Sequence, residues 1–422
     1  MRQARGIVSA AVLAVACVRP AAGALPAETV LYSFKGGKAG GAPFSGLITD
    51  ANGALYGTAS GAGSGTCGTA FQLSPPAGSG QPWTQKILHV FTHKADDGCA
   101  PFGGLVAGTN GVLYGATADG GAEDGGAVFS LTPPGAGGKA WAEAVIYSFA
   151  GPSEPAASLV LDPSGVLYGT TSLGGANGSV FALAPPAGGA TKWTETTLYA
   201  FQGGKDGRDP IGGLTEDSAG NLYGTTFYGG IGSLCASGQG CGTVFMLTPP
   251  AAGQTAWTET LLYAFSGGAE GAYPYGGLLL GKAGLLFGTT VGGGDARGDG
   301  VVFSLTPRHG GGVPWLETVL YSFAGSDGDG AHPYGTLASN LGGTLFGTTV
   351  SGGSSCCGTV FELAPPGAGG GDWTEIVLTS FQGGADGAYP YGGLLWDTAK
   401  NLYGTTFQGG ASGDGTVFLI PP

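Results

Sequence analysis

The chain has 422 residues, of which 90 are glycine, and only 10% carry a charge, against roughly 25% in ordinary globular domains. Its net charge of −13 argues against non-specific nucleic-acid binding, because clustered basic side chains would be needed to offset phosphate repulsion. Aromatic residues at 10% and hydrophobic residues at 42% favour a packed core over disorder.

The N-terminus predicts an export signal. Two arginines precede an apolar stretch from Gly6 to Val18, and Ala22-Gly23-Ala24 offers a cleavage site. The alternative is a lipoprotein signal that ends before Cys17, which would then carry the lipid. Both alternatives export the chain. The signal is residues 1–24 if it is simply cleaved and ends before Cys17 if it is a lipoprotein signal, and residues 25–422 form a single domain. No later apolar stretch is long enough to predict a transmembrane helix.

A motif of the form Leu-Tyr/Phe-Gly-Thr/Ala follows this signal and repeats along the chain. Its leucines are Leu55, Leu113, Leu167, Leu222, Leu286, Leu345 and Leu402. Three further landmarks accompany each copy: a leucine before it, the phenylalanine of Gly-Thr-Val-Phe, and the phenylalanine of Leu-Tyr-Ser-Phe. Each landmark lies in a short β-branched and aromatic run bounded by turn residues, which predicts a strand. Every repeat therefore has four strands, named a to d in chain order.

The repeats predict an all-β protein, a seven-bladed β-propeller with four antiparallel strands per blade. The chain begins with a strand d, from Thr29 to Phe34, and ends with a strand c, from Gly415 to Ile420. The last blade is therefore expected to be closed by the N-terminal strand, since otherwise both termini would leave open sheet edges.

The length of the connections differs between the two faces of the predicted ring. The a–b and c–d turns keep a constant length, whereas the b–c and d–a loops vary. Function is expected on the b–c/d–a face, since loops on a rigid scaffold can change without disturbing the core. A tryptophan at the start of strand d is predicted to pack between blades, and Trp396 in strand a is expected to protrude into the central channel or to plug it.

The repeat Leu-Tyr-Gly-Thr-Thr with Gly-Gly and Gly-Thr-Val-Phe-x-Leu-x-Pro-Pro resembles the GloVer tandem-repeat family of bacterial exported proteins, over residues 28–422. That resemblance implies surface-associated proteins and brings no established catalytic or binding residues. Pro422 lies two residues after the last predicted strand, so no C-terminal anchor domain is expected. The turn from Asp217 to Tyr223 is also similar to the start of NHL-type propeller repeats, which implies the same fold.

The d–a loops hold the candidate binding residues, because tyrosines beside Asp and Gly are typical of adaptable recognition surfaces. These candidates are Tyr273, Tyr275, Tyr334, Tyr389, Tyr391, Asp206, Asp327 and Asp386. Packing of the tyrosines against neighbouring loops remains the alternative. No catalytic residue, metal site or cofactor is predicted, although calcium at Asp327-Gly328-Asp329 is an alternative to solvated turn residues.

Six cysteines remain once Cys17 is removed or acylated, an even number that fits disulfides in an oxidising compartment. Cys235 and Cys241 bracket a short insertion and are predicted to pair. Cys67 and Cys99 lie in loops of the same face and are predicted to pair too. Cys356 and Cys357 form either a vicinal disulfide or two free thiols.

The sequence predicts an exported, monomeric binding or interaction scaffold that uses the b–c/d–a face, with a glycan or an envelope protein as partner. One alternative is a propeller lyase or glycosidase that uses acidic residues of the same face. The other is a purely structural envelope protein.

Overall fold

The computed structural model describes residues 28–61, 67–78, 80–94, 96–135, 137–188, 190–230, 232, 234–235, 238–295, 297–308, 314–326, 328–367 and 370–422. The predicted signal segment, Cys17 and Asp327 lie outside these residues.

The described residues form seven four-stranded antiparallel sheets, the blades of a propeller. Blades one to three contain strands a to d at Ile48–Thr49, Leu55–Ala59, Thr69–Ser74 and Thr84–Val90; at Val106–Ala107, Leu113–Thr117, Ala127–Thr132 and Ala142–Ser148; and at Val160–Leu161, Leu167–Thr171, Ser179–Ala184 and Thr194–Ala200. Blades four and five contain Thr215–Glu216, Leu222–Thr226, Thr243–Thr248 and Thr258–Ala264; and Leu279–Leu280, Leu286–Thr290, Val301–Thr306 and Leu316–Ser322. Blades six and seven contain Ala338–Ser339, Leu345–Thr349, Thr359–Ala364 and Thr374–Ser380; and Leu395–Trp396, Leu402–Thr406, Thr416–Ile420 and Thr29–Ser33.

Short elements in the connections between the strands complete the architecture. Two-stranded ribbons pair Gly98–Cys99 with Asp119–Gly120 and Gly330–Ala331 with Ser351–Gly352. Single 3₁₀ turns occur at Gly37–Ala39, Thr109–Gly111, Gly174–Ala176, Gly204–Asp206, Gly268–Glu270 and Lys282–Gly284. No α-helix occurs within the described ranges, so the all-β prediction is confirmed.

The N-terminal strand closes the ring, as predicted. Thr29–Ser33 pairs antiparallel with Thr416–Ile420, with Thr29 opposite Leu419 and Ser33 opposite Thr416. The amide of Phe34 continues this pairing by donating to the carbonyl of Gly415 at 3.0 Å. Blade seven therefore takes its outer strand from the opposite end of the chain.

The core lies in the seams between adjacent blades, where the landmark phenylalanines meet. The strand d phenylalanine of one blade packs against the strand c phenylalanine of the next, for example Phe34 on Phe71 with ring centroids 5.1 Å apart. Both rings are fully buried. Burial of each such side chain contributes roughly 1.5–3 kcal/mol, so the seams supply much of the stability of the ring.

The strand d tryptophans also pack in these seams, which confirms their structural role. Trp141, for example, lies with its ring centroid 6.2 Å from that of Tyr56 in strand b of the preceding blade. In the sequence, Pro26 stands at the equivalent position before the closing strand, eight residues ahead of Phe34, so blade seven has no strand d tryptophan. Trp396 supplies the missing ring from strand a and stacks on Phe346 at 4.8 Å. The expectation that Trp396 occupies the channel was wrong, because Phe346 has no strand d tryptophan to pack against in this seam.

A row of glutamates occupies the outer part of these seams, at or just before the start of strand d. These seam glutamates are Glu28, Glu143, Glu259, Glu317 and Glu375. Burial raises the pKa of each to about 7 from an ordinary value of 4.5, and in most of them a neighbouring loop acid adds to the effect. One carboxyl oxygen of each is buried without a hydrogen-bond partner. The folded chain therefore favours their protonated form.

Candidate functional site

The seven d–a loops meet at one mouth of the central channel. Each loop presents there the residue that follows its proline, and these seven residues form what we call the mouth ring. The mouth ring consists of Phe44, Phe102, Ala156, Ile211, Tyr275, Tyr334 and Tyr391. One cavity is lined by all seven, which is possible only on the axis of the propeller. The face predicted from loop-length variation therefore carries the central cavity.

The backbone before each of these prolines is strained. The residues concerned are Ala42, Ala100, Glu154, Asp209, Tyr273, His332 and Tyr389, with φ between 51° and 62°. This left-handed conformation is unfavourable for residues other than glycine and persists only where the surroundings enforce it. At Tyr389 the amide donates to the Cys357 carbonyl at 2.8 Å, and the carbonyl accepts from the Phe407 amide at 3.1 Å. Paired bonds of this kind hold six of the seven loop ends, so most of the mouth ring is preorganised. At Glu154 the described residues provide one such bond, from the Ser172 amide to the Glu154 carbonyl.

Five members of the mouth ring form a continuous aromatic wall: Phe44, Phe102, Tyr275, Tyr334 and Tyr391. Phe44 stacks on Tyr391 at 4.7 Å and meets Phe102 edge-on at 5.5 Å. Tyr334 contacts Tyr275 at 4.8 Å and Tyr391 at 5.2 Å. Burial raises the pKa of Tyr275 to about 12 from an ordinary value of 10. The aromatic wall thus occupies one side of the mouth.

The opposite side of the mouth is the seam between blades two and three, which we call the open seam. Ala156 stands there in place of an aromatic residue. The d–a loop before it is the shortest of the ring, running only from Phe149 to Pro155, whereas the next one runs from Phe201 to Pro210. The wall of aromatic rings is therefore interrupted at Ala156 and at its neighbour Ile211, and Ala156 follows the shortened loop.

The open seam also breaks a belt of hydrogen bonds around the channel. In six blades a strand b threonine donates its hydroxyl to a backbone carbonyl beside the mouth ring of the next blade. These pairs are Thr58–Gly103, Thr170–Gly212, Thr225–Gly276, Thr289–Gly335, Thr348–Gly392 and Thr405–Ser45. Blade two has Ala116 at this position, so the Ala157 carbonyl receives no such bond. A hydrogen-bond acceptor is thereby left for another donor.

The cavity has a volume of about 480 Å³. Facing the aromatic wall, its lining includes Asp119, Glu154, Ser158 and Ser172. The Ser172 hydroxyl donates to a carboxylate oxygen of Glu154 at 3.1 Å, while the Asp119 side chain is exposed. None of the described lining residues is Lys, Arg or His. The cavity thus combines an aromatic side with an acidic, acceptor-rich side.

Three of the predicted binding residues line this cavity, namely Tyr275, Tyr334 and Tyr391. Tyr273 and Tyr389, which hold the strained positions before the prolines, do not line it, whereas Glu154 at the equivalent position does. Tyr273 instead stacks against Phe227 of a b–c loop with ring centroids 5.2 Å apart.

The predicted acids serve their own loops. The Asp206 carboxylate accepts hydrogen bonds from the Tyr199 hydroxyl at 3.0 Å and from the backbone amide of Gln202 at 2.8 Å. Asp386 accepts from the amide of Gln382 at 2.7 Å. Neither acid lines the cavity. Asp327 lies outside the described residues, and the calcium hypothesis stays a prediction.

Sequence reasoning missed Phe44, Asp119 and Glu154 as cavity residues. Phe44 was marked by its spacing to the proline of its d–a loop, because superposing the repeats on this proline aligns the mouth ring. Glu154 has no such signal, since Tyr273 and Tyr389 at the same position before the proline do not line the cavity. Asp119 follows strand b of blade two and carries no such signal, since the short ribbon Asp119–Gly120 brings it to the cavity.

Three disulfides lie in the b–c and d–a loops, and one of them, Cys67–Cys99, joins two loops. Cys67–Cys99 and Cys235–Cys241 are paired, with Cα atoms 4.6 and 5.4 Å apart, which confirms both predictions. Cys356 and Cys357 form a vicinal disulfide rather than free thiols. Within the described part of the chain, no helix is long and apolar enough to cross a membrane.

Two groups of three side chains have ligand atoms close enough together to hold a metal ion: Cys67, His93 and Cys99, and His89, Asp97 and Glu143. In the first group the two sulfurs are bonded to each other in the disulfide Cys67–Cys99. In the second, the His89 ring lies 3.0 Å from the Asp97 carboxylate. This contact corresponds to the hydrogen bond between Tyr199 and Asp206 in blade three. Both groups thus have a structural role in their loops.

The chain is similar to several solved structures, all at low sequence identity. A provisionally assigned 6-phosphogluconolactonase from Bacteroides uniformis is 15% identical, with 85% of this chain and 87% of that chain covered and a TM-score of 0.48. A provisionally assigned oxidoreductase (glucose dehydrogenase) from Thermus thermophilus is 18% identical, with 75% and 94% covered and a TM-score of 0.42. No curated protein matches the chain.

A family model, by contrast, matches nearly the whole chain. The Gloeobacter/Verrucomicrobia repeat matches residues 18–238 and 233–422. These two matches include all seven copies of the Leu-Tyr/Phe-Gly motif and confirm the resemblance found in the sequence. The chain therefore belongs to the Gloeobacter/Verrucomicrobia repeat family.

Proposed function

We propose that this protein is an exported binding module whose ligand occupies the cavity at the mouth ring. The observation that carries the proposal is that three departures from the repeat fall together in one place beside the cavity. Ala156, Ala116 and the short loop before Pro155 all belong to the open seam. A ring selected for stability alone gains nothing from leaving a carbonyl without its donor and an aromatic position empty.

The properties of the cavity support a binding role. Its volume of about 480 Å³ falls within the range usual for small-ligand sites, roughly 300–1,000 Å³. Six of the seven strained loop ends are hydrogen-bonded through both amide and carbonyl, and three of the acceptors are carbonyls of the disulfide-bonded Cys67, Cys241 and Cys357. These bonds hold the loops before a ligand arrives, which lowers the ordering cost of binding. The disulfides also fit an oxidising compartment and thus an exported chain. A glycan or a group displayed by an envelope protein are the partner classes we propose.

The test is to complete the mouth ring. Ala156→Tyr places in blade three the side chain that blades five to seven already carry, and it should fill the open seam without disturbing the core. Ala187→Tyr is the matched control, since Ala187 is exposed in the c–d turn of the same blade. The wild-type chain is screened by thermal shift against oligosaccharides, peptides and amines.

A ligand of this cavity should stabilise the wild type and the Ala187→Tyr variant, by about 2.7 kcal/mol at a hundredfold excess over its Kd. It should no longer stabilise Ala156→Tyr. Ligands that stabilise all three chains equally would contradict the proposed site.

A further inference from the structure

Resting on this proposed function, we infer that the ligand of the cavity carries an organic cation, an ammonium or guanidinium group, held between the aromatic wall and the open seam. The inference follows from the sign of charge in the lining. Asp119 and Glu154 are its two carboxylates, and its described lining residues include no basic side chain. The net charge of −13 adds a long-range attraction for cations.

The open seam offers acceptors rather than donors. Glu154 has one side-chain partner in the structure, the Ser172 hydroxyl, which leaves further lone pairs on its carboxylate. Of the seven described carbonyls beside the mouth ring, six accept a hydrogen bond from a strand b threonine, and the Ala157 carbonyl does not. An ammonium or guanidinium group is built only of donors and so matches this surface.

The aromatic wall favours the same class of ligand. The faces of Phe and Tyr rings carry negative electrostatic potential and attract cations within about 6 Å of the ring centre. Phe44 and Tyr391 stack together at 4.7 Å, and Tyr275 and Tyr334 continue the wall at 4.8 Å. An organic cation in the mouth would meet these rings on one side and carboxylates on the other.

Desolvation distinguishes a cation from the alternatives. A ligand that fills the mouth displaces water from Glu154, and a buried carboxylate without a compensating charge is costly. An anion would add repulsion from Asp119 and Glu154. A neutral sugar could accept stacking and hydrogen bonds but would leave the carboxylate charge uncompensated. A cation removes this cost directly.

Two matched pairs of probes isolate the charge: choline with 3,3-dimethylbutan-1-ol, and n-butylguanidinium with n-butylurea. Each pair has nearly the same shape, and one member of each pair is neutral. Binding is measured by ligand-detected NMR and calorimetry on the full mature chain at low ionic strength. We expect each cation to bind at least tenfold more tightly than its neutral partner, and this preference should shrink as salt is added.

Variants then locate the effect. Glu154→Gln and Asp119→Asn keep the shape of the side chains and remove one charge each, and each should reduce the cation preference several-fold. Asp372→Asn is the control, because Asp372 is exposed on the c–d face and its removal changes the net charge equally. Asp372→Asn should leave the preference unchanged.

The outcomes separate the two proposals. Neutral probes that bind as well as the cations, with both classes lost in Ala156→Tyr, would overturn the cation inference while supporting the cavity as a binding site. Absence of saturable cation binding would also overturn the cation inference. The thermal-shift screen on the wild type and Ala156→Tyr would then still test whether the cavity is a binding site. Cation binding that survives in Ala156→Tyr and in Glu154→Gln would overturn both.

Discussion

Phe34→Ala weakens the strand that closes the ring, and its effect can be worked out from the structure. Phe34 is fully buried and packs on Phe71 at 5.1 Å. Phe201 is its equivalent between blades three and four, buried to the same degree and 5.1 Å from Phe245. Truncating a buried phenylalanine to alanine costs about 3–5 kcal/mol. We therefore expect Phe34→Ala and Phe201→Ala to reduce the free energy of unfolding by similar amounts.

The two variants should differ in local opening. Strand d of blade three, Thr194–Ala200, is joined to its partner strand by a short turn, so it stays near that partner when its packing is weakened. The closing strand, Thr29–Ser33, is linked to Thr416–Ile420 only through the whole ring, so detachment releases far more chain freedom. In Phe34→Ala the lost packing should therefore lower the free energy of detaching the closing strand.

Hydrogen exchange followed by mass spectrometry measures this opening. In Phe34→Ala, amides of Thr416–Ile420 that pair with the closing strand should exchange about a hundredfold to a few thousandfold faster, the equivalent of about 3–5 kcal/mol. In Phe201→Ala, the protection of Thr416–Ile420 should fall only with global stability. Equal acceleration of exchange at Thr416–Ile420 in both variants would refute the closure reasoning.

Three further predictions concern pH, the disulfides and the open seam. The seam glutamates have a raised pKa in the folded chain, so the folded state binds more protons than the unfolded state between pH 4.5 and about 7. Their contribution to stability should be complete below pH 4.5 and should be lost as the pH rises through 7, with a smaller loss in Glu317→Gln. Denaturant midpoints that rise from pH 5 to 8 would contradict this. Non-reducing peptide mapping should find Cys235 joined to Cys241, and any other partner for Cys235 would show that the pairing is wrong. Ala116→Thr supplies the missing donor to the Ala157 carbonyl, so it should raise stability by about 0.5–1.5 kcal/mol and weaken ligand binding, as thermal shift and calorimetry would show.

The repeat made most of the fold predictable. The four landmarks recur at nearly regular spacing, and each strand follows from a local pattern of β-branched and aromatic residues bounded by turns. Closure by Thr29–Ser33 followed from an unpaired strand at each end of the chain. The pairing of Cys235 with Cys241 followed from their short separation in one loop.

The candidate site depended on the tertiary structure. Tyr275, Tyr334 and Tyr391 were identified from their loop, but the same composition also nominated Asp206 and Asp386, whose carboxylates hold their own loops. Local composition cannot separate these roles, because a loop acid and a binding acid differ only in what surrounds them.

The sequence by itself determined the strands, the number of blades and the face on which the loops vary, since these depend on local periodicity. Only the tertiary structure decided that seven loop residues meet on one axis, and that the ring is open where Ala156 and Ala116 interrupt it. The physical reason is that this cavity is a difference between repeats, which becomes a volume only when the blades are arranged around the channel. The same holds for Trp396, whose place against Phe346 was set by the aromatic ring that the closing strand does not supply.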